Sequence, residues 1–152
     1  MKHELIFLGK TKDSFISAGI DNYASRLKHY TKVSTRTLKE KKSAGNPDIS
    51  LEGRQLLEAV PAGWFIVALD SRGGQFTSEK FATVISGWEQ RGVKGVCYLI
   101  GGPTGISEEV VARADLCLSL SKMTFTHDMV RLLLMEQVYR AYTIKAGEKY
   151  HK

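Results

Sequence analysis

The parts needed for a membrane span, a disulfide framework or a metal centre are scarce in this 152-residue chain. No run of about 18 apolar residues occurs, and the opening "MKHELIFLGK" carries an apolar core shorter than the roughly 7 to 15 residues of a secretory signal. The chain is therefore expected to be cytoplasmic, with no membrane partner. Only two cysteines are present, Cys97 and Cys117. Each sits inside an apolar run, "GVCYLI" and "DLCLSL", where a thiol behaves as a small buried hydrophobe. The four histidines, His3, His29, His127 and His151, are scattered. They give no metal-ligand spacing and no Ser-His-Asp order, so no metal is expected. The glycines fit neither the dinucleotide fingerprint G-x-G-x-x-G nor a phosphate loop followed by Lys and Ser/Thr.

Acidic residues are nearly missing from one segment. Between Arg26 and Lys42 lie Arg26, Lys28, Lys32, Arg36, Lys39, Lys41 and Lys42 against Glu40 alone, which matches the formal charge of +6 for the whole chain. Such a stripe suits a phosphate backbone, because each neutralised phosphate releases counterions. Charge alone favours a plainer account, a solvated face or lysines guarding an edge strand.

Apolar runs and helical periodicities are plentiful. "ELIFLG", "WFIVALD", "GVCYLIGG" and "ADLCLSL" are continuous apolar runs of the kind found in strands buried on both faces, and "VSTRTL" is a β-branched strand. Between them, Asp13, Asp48, Thr77 and Ser107 stand where helix N-caps are expected, and Ile16, Ile20, Tyr23 and Leu27 repeat on one helical face. Residues 39–47 are expected to be a mobile loop. The alternation predicts an α/β fold, a parallel sheet with helices on both faces, as one domain over 1–152. The last helix, about 127–145, is apolar around most of its circumference, so it is either central or at a subunit interface, and a dimer is the favoured reading.

Ligands in open parallel sheets bind at the carboxyl ends of strands. Three such ends are rich in small residues: "ALDSRGGQ", "LIGGPTGIS" and "LSLSKMTFTH". Taken alone, these glycines are ordinary turns. His127 and Arg131 share one face of the last helix, and Glu136 and Arg140 have the spacing of a helical ion pair.

"LIGGPTGIS", together with "LSLSKMTFTHDMVRLLLMEQVYRAYTIKAGEKYHK" and "ALDSRGG", closely resembles the ribosomal RNA large subunit methyltransferase H family, the pseudouridine N3-methyltransferases of the SPOUT group. The resemblance covers the whole chain. It implies a homodimer with a carboxyl-terminal trefoil knot that transfers methyl from S-adenosylmethionine to N3 of a pseudouridine in 23S rRNA of the assembled ribosome. It also implies cofactor positions at Leu69, Gly101, Leu120, Ser121, Lys122, Met123, Thr124 and Phe125. Thr126 stands where relatives often have proline, and it can cap the last helix instead. Under this reading His151 or His127 accepts the N3 proton, Arg131 and Arg140 hold phosphate or imidate, Tyr150 stacks on a base, and Lys39, Lys41 and Lys42 meet RNA. Gly101→Val is expected to abolish cofactor binding in a protein that still folds. The competing readings are a noncatalytic ribosome-binding module of the same fold and a SPOUT enzyme acting on tRNA.

Overall fold

The computed structural model describes residues 1–152. Five strands form one wholly parallel sheet: β1 (Lys2–Leu8), β2 (Lys32–Leu38), β5 (Phe65–Gly74), β6 (Gly95–Ile100) and β7 (Leu116–Leu118), in the order β2-β1-β6-β5-β7. The helices are α1 (Ser14–Leu27), α2 (Ile49–Glu58), α3 (Ser78–Gln90), α4 (Glu108–Arg113) and α5 (His127–Lys145), and a 3-10 turn, Lys149–His151, closes the chain. None of the helices is long and apolar enough to cross a membrane.

Alternation along β1 shows how the layers form. Leu5 and Phe7 enter a large core with Ile20 and Leu27 of α1, Phe81, Ile85 and Trp88 of α3, and Leu134 and Val138 of α5. Ile6 and Leu8 point the other way, into a smaller core with Leu56 of α2 and Val110 of α4. Because neither face of β6 or of the second half of β1 meets water, Gly95–Ile100 and Leu5–Leu8 are apolar without interruption. The helices start where their caps stand: the side chains of Asp13, Asp48, Thr77, Ser107 and Thr126 each accept a backbone N–H from the first turn that follows. Thr126 thus fills the capping role expected of it.

Two expectations need correction. The segment 39–47 is exposed, but it contains a hairpin, β3 (Lys42–Ser43) and β4 (Asn46–Pro47). The two residues between these strands, Ala44 and Gly45, have φ of 52° and 79°, the left-handed pair that a type I′ turn requires. The last sheet strand is three residues long, well short of the seven-residue run "ADLCLSL", because the chain leaves the sheet to form a loop once Leu118 has paired.

α5 lies over the sheet between α1 and α3, in contact with both. Its Leu134, Met135, Val138 and Ala141 are buried, while Met129, Val130, Leu132 and Leu133 stay half-buried in the single chain. A central position therefore accounts for part of its apolar circumference.

Candidate functional site

The strand order makes neighbours of β5, β6 and β7, so the three small-residue loops at their carboxyl ends converge. Between them lies a cleft of about 470 Å³, within the range of small-molecule sites. Leu69, Ile100, Ile106, Leu118 and Leu120 supply apolar wall, and the glycine turn and the Ser119–Thr126 loop supply backbone polar groups. A second hollow of about 300 Å³ shares Leu118, Ser119, Leu120 and Phe125 with it.

The glycine turn is a tight structure in its own right. Gly105 N–H donates to the Gly102 carbonyl at 3.0 Å, and Gly105 has φ of 86°. Pro103 takes the second position of that turn, where its fixed φ suits it. A Cβ on Gly101 would lie 2.2 Å from the Gly105 carbonyl oxygen and 2.6 Å from its carbon. Gly101 is therefore required by the loop's own backbone, before any ligand is considered. This revises the expectation for Gly101→Val, because valine there would deform the turn as well as the site. At Gly102 an added Cβ meets no heavy atom within 4 Å, although Gly102 forms part of the cleft wall.

The loop after β5 is held by charge. Asp70 accepts from Arg72 N at 2.8 Å and Arg72 Nε at 2.9 Å, and the Arg72 guanidinium reaches Glu108 Oε1 at 2.8 Å. The Arg72 hydrogen bond holds the Asp70 carboxyl below its ordinary pKa. The β5 loop in the cleft wall is thereby tied to the start of α4, which follows the glycine turn. Gly73 lets the returning strand pass β7: a Cβ there would lie 2.5 Å from the Cys117 carbonyl oxygen. In the third loop Ser119 Oγ donates to the Ser121 carbonyl, and Ser121 Oγ accepts from Met123 N.

Of the positions expected to hold cofactor, Leu69, Gly101, Leu120, Ser121, Met123, Thr124 and Phe125 line this cleft. Lys122 is exposed and outside its wall. Sequence reasoning passed over Asp70, Gly102, Pro103 and Ile106, which adjoin the named positions and line the cleft too. His127 lies in the wall, its Nε2 3.6 Å from Asp128 Oδ1.

The other expected catalytic and RNA-contacting residues lie elsewhere in the chain. Arg131 is 0 % exposed: its Nη2 donates to the Leu8 carbonyl, its Nη1 to Thr11 Oγ1, and its guanidinium rests on the Phe7 ring. In the single chain it cannot meet a phosphate, because the turn after β1 encloses it. Arg140 is paired with Glu136, as its spacing predicted, and lies over the Tyr150 ring. Tyr150 packs edge-on against Tyr139, and its hydroxyl donates to Glu136 at 3.0 Å. His151 Nδ1 faces Arg140 Nη1 at 3.3 Å, so that nitrogen accepts and Nε2–H donates to Glu79 at 2.8 Å. This tail is docked against α5 and α3, and none of its side chains lines the cleft.

A parallel sheet with an apolar, glycine-edged cleft at its carboxyl end defines an α/β domain with a hollow of ligand size at the strand termini, where open parallel sheets bind their ligands. The family described as "Predicted SPOUT methyltransferase" matches residues 1–151. The chain is 60% identical to the ribosomal RNA large subunit methyltransferase H of Desulfotalea psychrophila over the full length of both. It is 44% identical to the protein of that name from Christiangramia forsetii, over 99% of each chain. A solved structure from Haemophilus influenzae Rd KW20, described as a probable methylase family protein, shares the fold at a TM-score of 0.61 and 10% identity, covering 99% of this chain and 70% of the other. The chain belongs to the SPOUT methyltransferases and, within them, to the ribosomal RNA large subunit methyltransferase H family.

Proposed function

We propose that this protein transfers the methyl group of S-adenosylmethionine to N3 of a pseudouridine in 23S rRNA of the assembled ribosome. The observation that carries the reading is the convergence of three strand-end loops on one cleft with His127 in its wall. The residues present fit the cofactor, with apolar side chains for the adenine and ribose faces and, for its polar edges, backbone groups at Gly101, Leu120 and Thr124 that the turn and loop leave unbonded. When bound, that cofactor supplies an electrophilic methyl group on a sulfonium.

The chain's own residues then do the rest. Leu69, Ile100 and Leu118 exclude water from one side of the cleft. The turn of Gly102–Gly105 and the hydroxyl-bonded loop after β7 present backbone in a fixed shape, so that orientation supplies much of the rate. The imide at N3 must lose its proton, and His127 is the one histidine in the wall of the cleft. For His151 to serve instead, it must first leave Glu79.

The homodimer and the carboxyl-terminal knot belong to the same reading. Phe15 is 88% exposed, one helical turn from Gly19, which abuts Leu132 of α5. Phe15 and half-buried Met129, Leu132 and Leu133 are the apolar side chains of α1 and α5 that a second copy of the chain would cover.

Labelled methyl transfer to intact ribosomes, with and without the pseudouridine, tests the assignment. Transfer that depends on the pseudouridine supports it; transfer only to tRNA overturns it. Calorimetry with S-adenosylmethionine separates a noncatalytic module, which need not bind it. His127→Ala and His151→Ala, measured in single turnover, test the base: if neither slows transfer, positioning alone accounts for the chemistry.

A further inference from the structure

The basic stripe seen in the sequence does not form one surface. In the parallel register of β1 and β2, Lys2 stands beside Lys32 and Leu8 beside Leu38. Lys32 therefore lies at the amino end of the sheet, with Arg26 and Lys28 at the end of α1. Lys39, Lys41 and Lys42 follow the carboxyl end. A seven-residue strand separates the two groups by about 20 Å, which exceeds the screening length at physiological salt. Arg36, midway along, is paired with Glu4 at 2.9 Å and donates to the Ala59 carbonyl.

The fold adds new charge to the carboxyl-end group. Gly9 N–H donates to the Leu38 carbonyl at 2.7 Å, so the turn after β1 and the segment after β2 leave the sheet side by side. That turn carries Lys10 and Lys12. All five lysines, Lys10, Lys12, Lys39, Lys41 and Lys42, are exposed, and none is in an ion pair.

The acids nearby are committed elsewhere. Asp13 accepts from Phe15 N and Ile16 N, and Asp48 accepts from Leu51 N, each as a helix cap. Glu40 is exposed and leans against the turn after β1, its carboxylate oxygen 2.5 Å from where a Cβ on Gly9 would be, and it is among the charges acting on buried Arg131. None of the five lysines is thus neutralised at contact distance, and their charges outnumber the carboxylates of Asp13, Glu40 and Asp48.

The ledge adjoins the cleft. Lys12 N–H donates to Asp128 Oδ2 at 3.0 Å, and Asp128 is the neighbour of His127 in the cleft wall. We propose that Lys10, Lys12, Lys39, Lys41 and Lys42 form one phosphate-binding ledge along the β2 edge of the sheet, which seats the RNA backbone flanking the nucleotide presented to the cleft. The inference rests on the RNA-methyltransferase reading above and adds to it the place where the RNA lies. Lysines suit the task as unpaired point charges that hold phosphates without reading sequence.

The test is co-sedimentation with intact ribosomes between about 50 and 200 mM KCl. Lys10→Gln/Lys12→Gln changes two exposed side chains and leaves the backbone bond to Asp128 intact. If each lysine meets one phosphate, the slope of log affinity against log salt falls by about 1.5. The triple variant Lys39→Gln/Lys41→Gln/Lys42→Gln lowers it further, and the opposite-pole variant Lys28→Gln/Lys32→Gln leaves it at the wild-type value. Calorimetry is expected to show unaltered S-adenosylmethionine affinity in all three. An unchanged slope for Lys10→Gln/Lys12→Gln overturns the ledge, and so does an equal fall for Lys28→Gln/Lys32→Gln. Wild-type protein that methylates ribosomes while the ledge variants keep its slope refutes the ledge alone. Wild-type protein that methylates no ribosomal RNA removes the function and the ledge together.

Discussion

Gly101 and Gly102 are adjacent and chemically identical, yet the structure predicts opposite outcomes for the same added methyl. At Gly101 the new Cβ would lie 2.2 Å from the Gly105 carbonyl oxygen, where ordinary contact begins near 3.4 Å. The obstacle is backbone, held by the Gly105 N–H bond to Gly102, so the strain cannot be relieved by turning a side chain. Overpacking of this kind costs about 1 to 3 kcal/mol, and for a chain of this length each kcal/mol lowers Tm by about 2 to 4 °C. Gly101→Ala is therefore expected to melt about 2 to 12 °C below wild type and to bind S-adenosylmethionine weakly because the turn is displaced. At Gly102 the methyl meets nothing within 4 Å, and the unfolded chain loses freedom, so stability is unchanged or rises by about 0.4 to 1 kcal/mol. What Gly102→Ala takes is volume from the cleft. Differential scanning calorimetry and titration with S-adenosylmethionine separate the two effects. Wild-type melting for Gly101→Ala would refute the packing argument, and wild-type affinity for Gly102→Ala would show that no ligand approaches that wall.

Asp128 accepts from Lys12 N and Asp13 N and faces Arg131 Nη1 at 3.6 Å, so Asp128→Asn removes the charge that balances a buried guanidinium. A loss of about 3 kcal/mol is expected in urea melts, with weaker methyl transfer because His127 is next in the chain. His3 is buried, its Nε2 bonded to the Tyr142 hydroxyl and its Nδ1 to that of Tyr98, and burial lowers its pKa from 6.5 to about 3. A base with a depressed folded pKa contributes stability that is complete above 6.5 and drains as pH falls toward 3, because only the unfolded chain takes up the proton. From pH 7 to pH 5 the loss is about 2 kcal/mol, and His3→Gln should flatten that part of the pH profile; an equally steep profile in the variant would assign the slope to other groups. Gly53→Ala places a Cβ 2.1 Å from Ser107 Oγ, the cap of α4, so α2 must withdraw from α4. The expected cost is about 1 to 3 kcal/mol, read as a fall in Tm.

What the sequence determined by itself is whatever rests on contacts a few residues long. The five N-caps were legible because each is a side chain meeting a backbone N–H two or three positions on. The buried strands were legible because a sheet covered on both faces admits no polar alternation. The small-residue ends of β5, β6 and β7 were visible as candidate loops, and the family resemblance marked several of their positions, but neither composition nor spacing says that these three strands are neighbours.

The tertiary structure decided the rest, because it depends on which distant segments meet. The order β2-β1-β6-β5-β7 joined three loops into one cleft and cut the basic stripe in two, since a strand carries charges at its ends to opposite poles. Arg131 looked like a surface cation beside His127, and the turn after β1 buried it. Tyr150 and His151, in a tail the sequence leaves without visible partners, found theirs on α5 and α3, more than ten residues away in the chain. Gly101 looked like a place for a ligand to come close, and its nearest neighbour proved to be the backbone of Gly105. Contacts between positions far apart in sequence leave no local pattern, so only the folded chain reveals them.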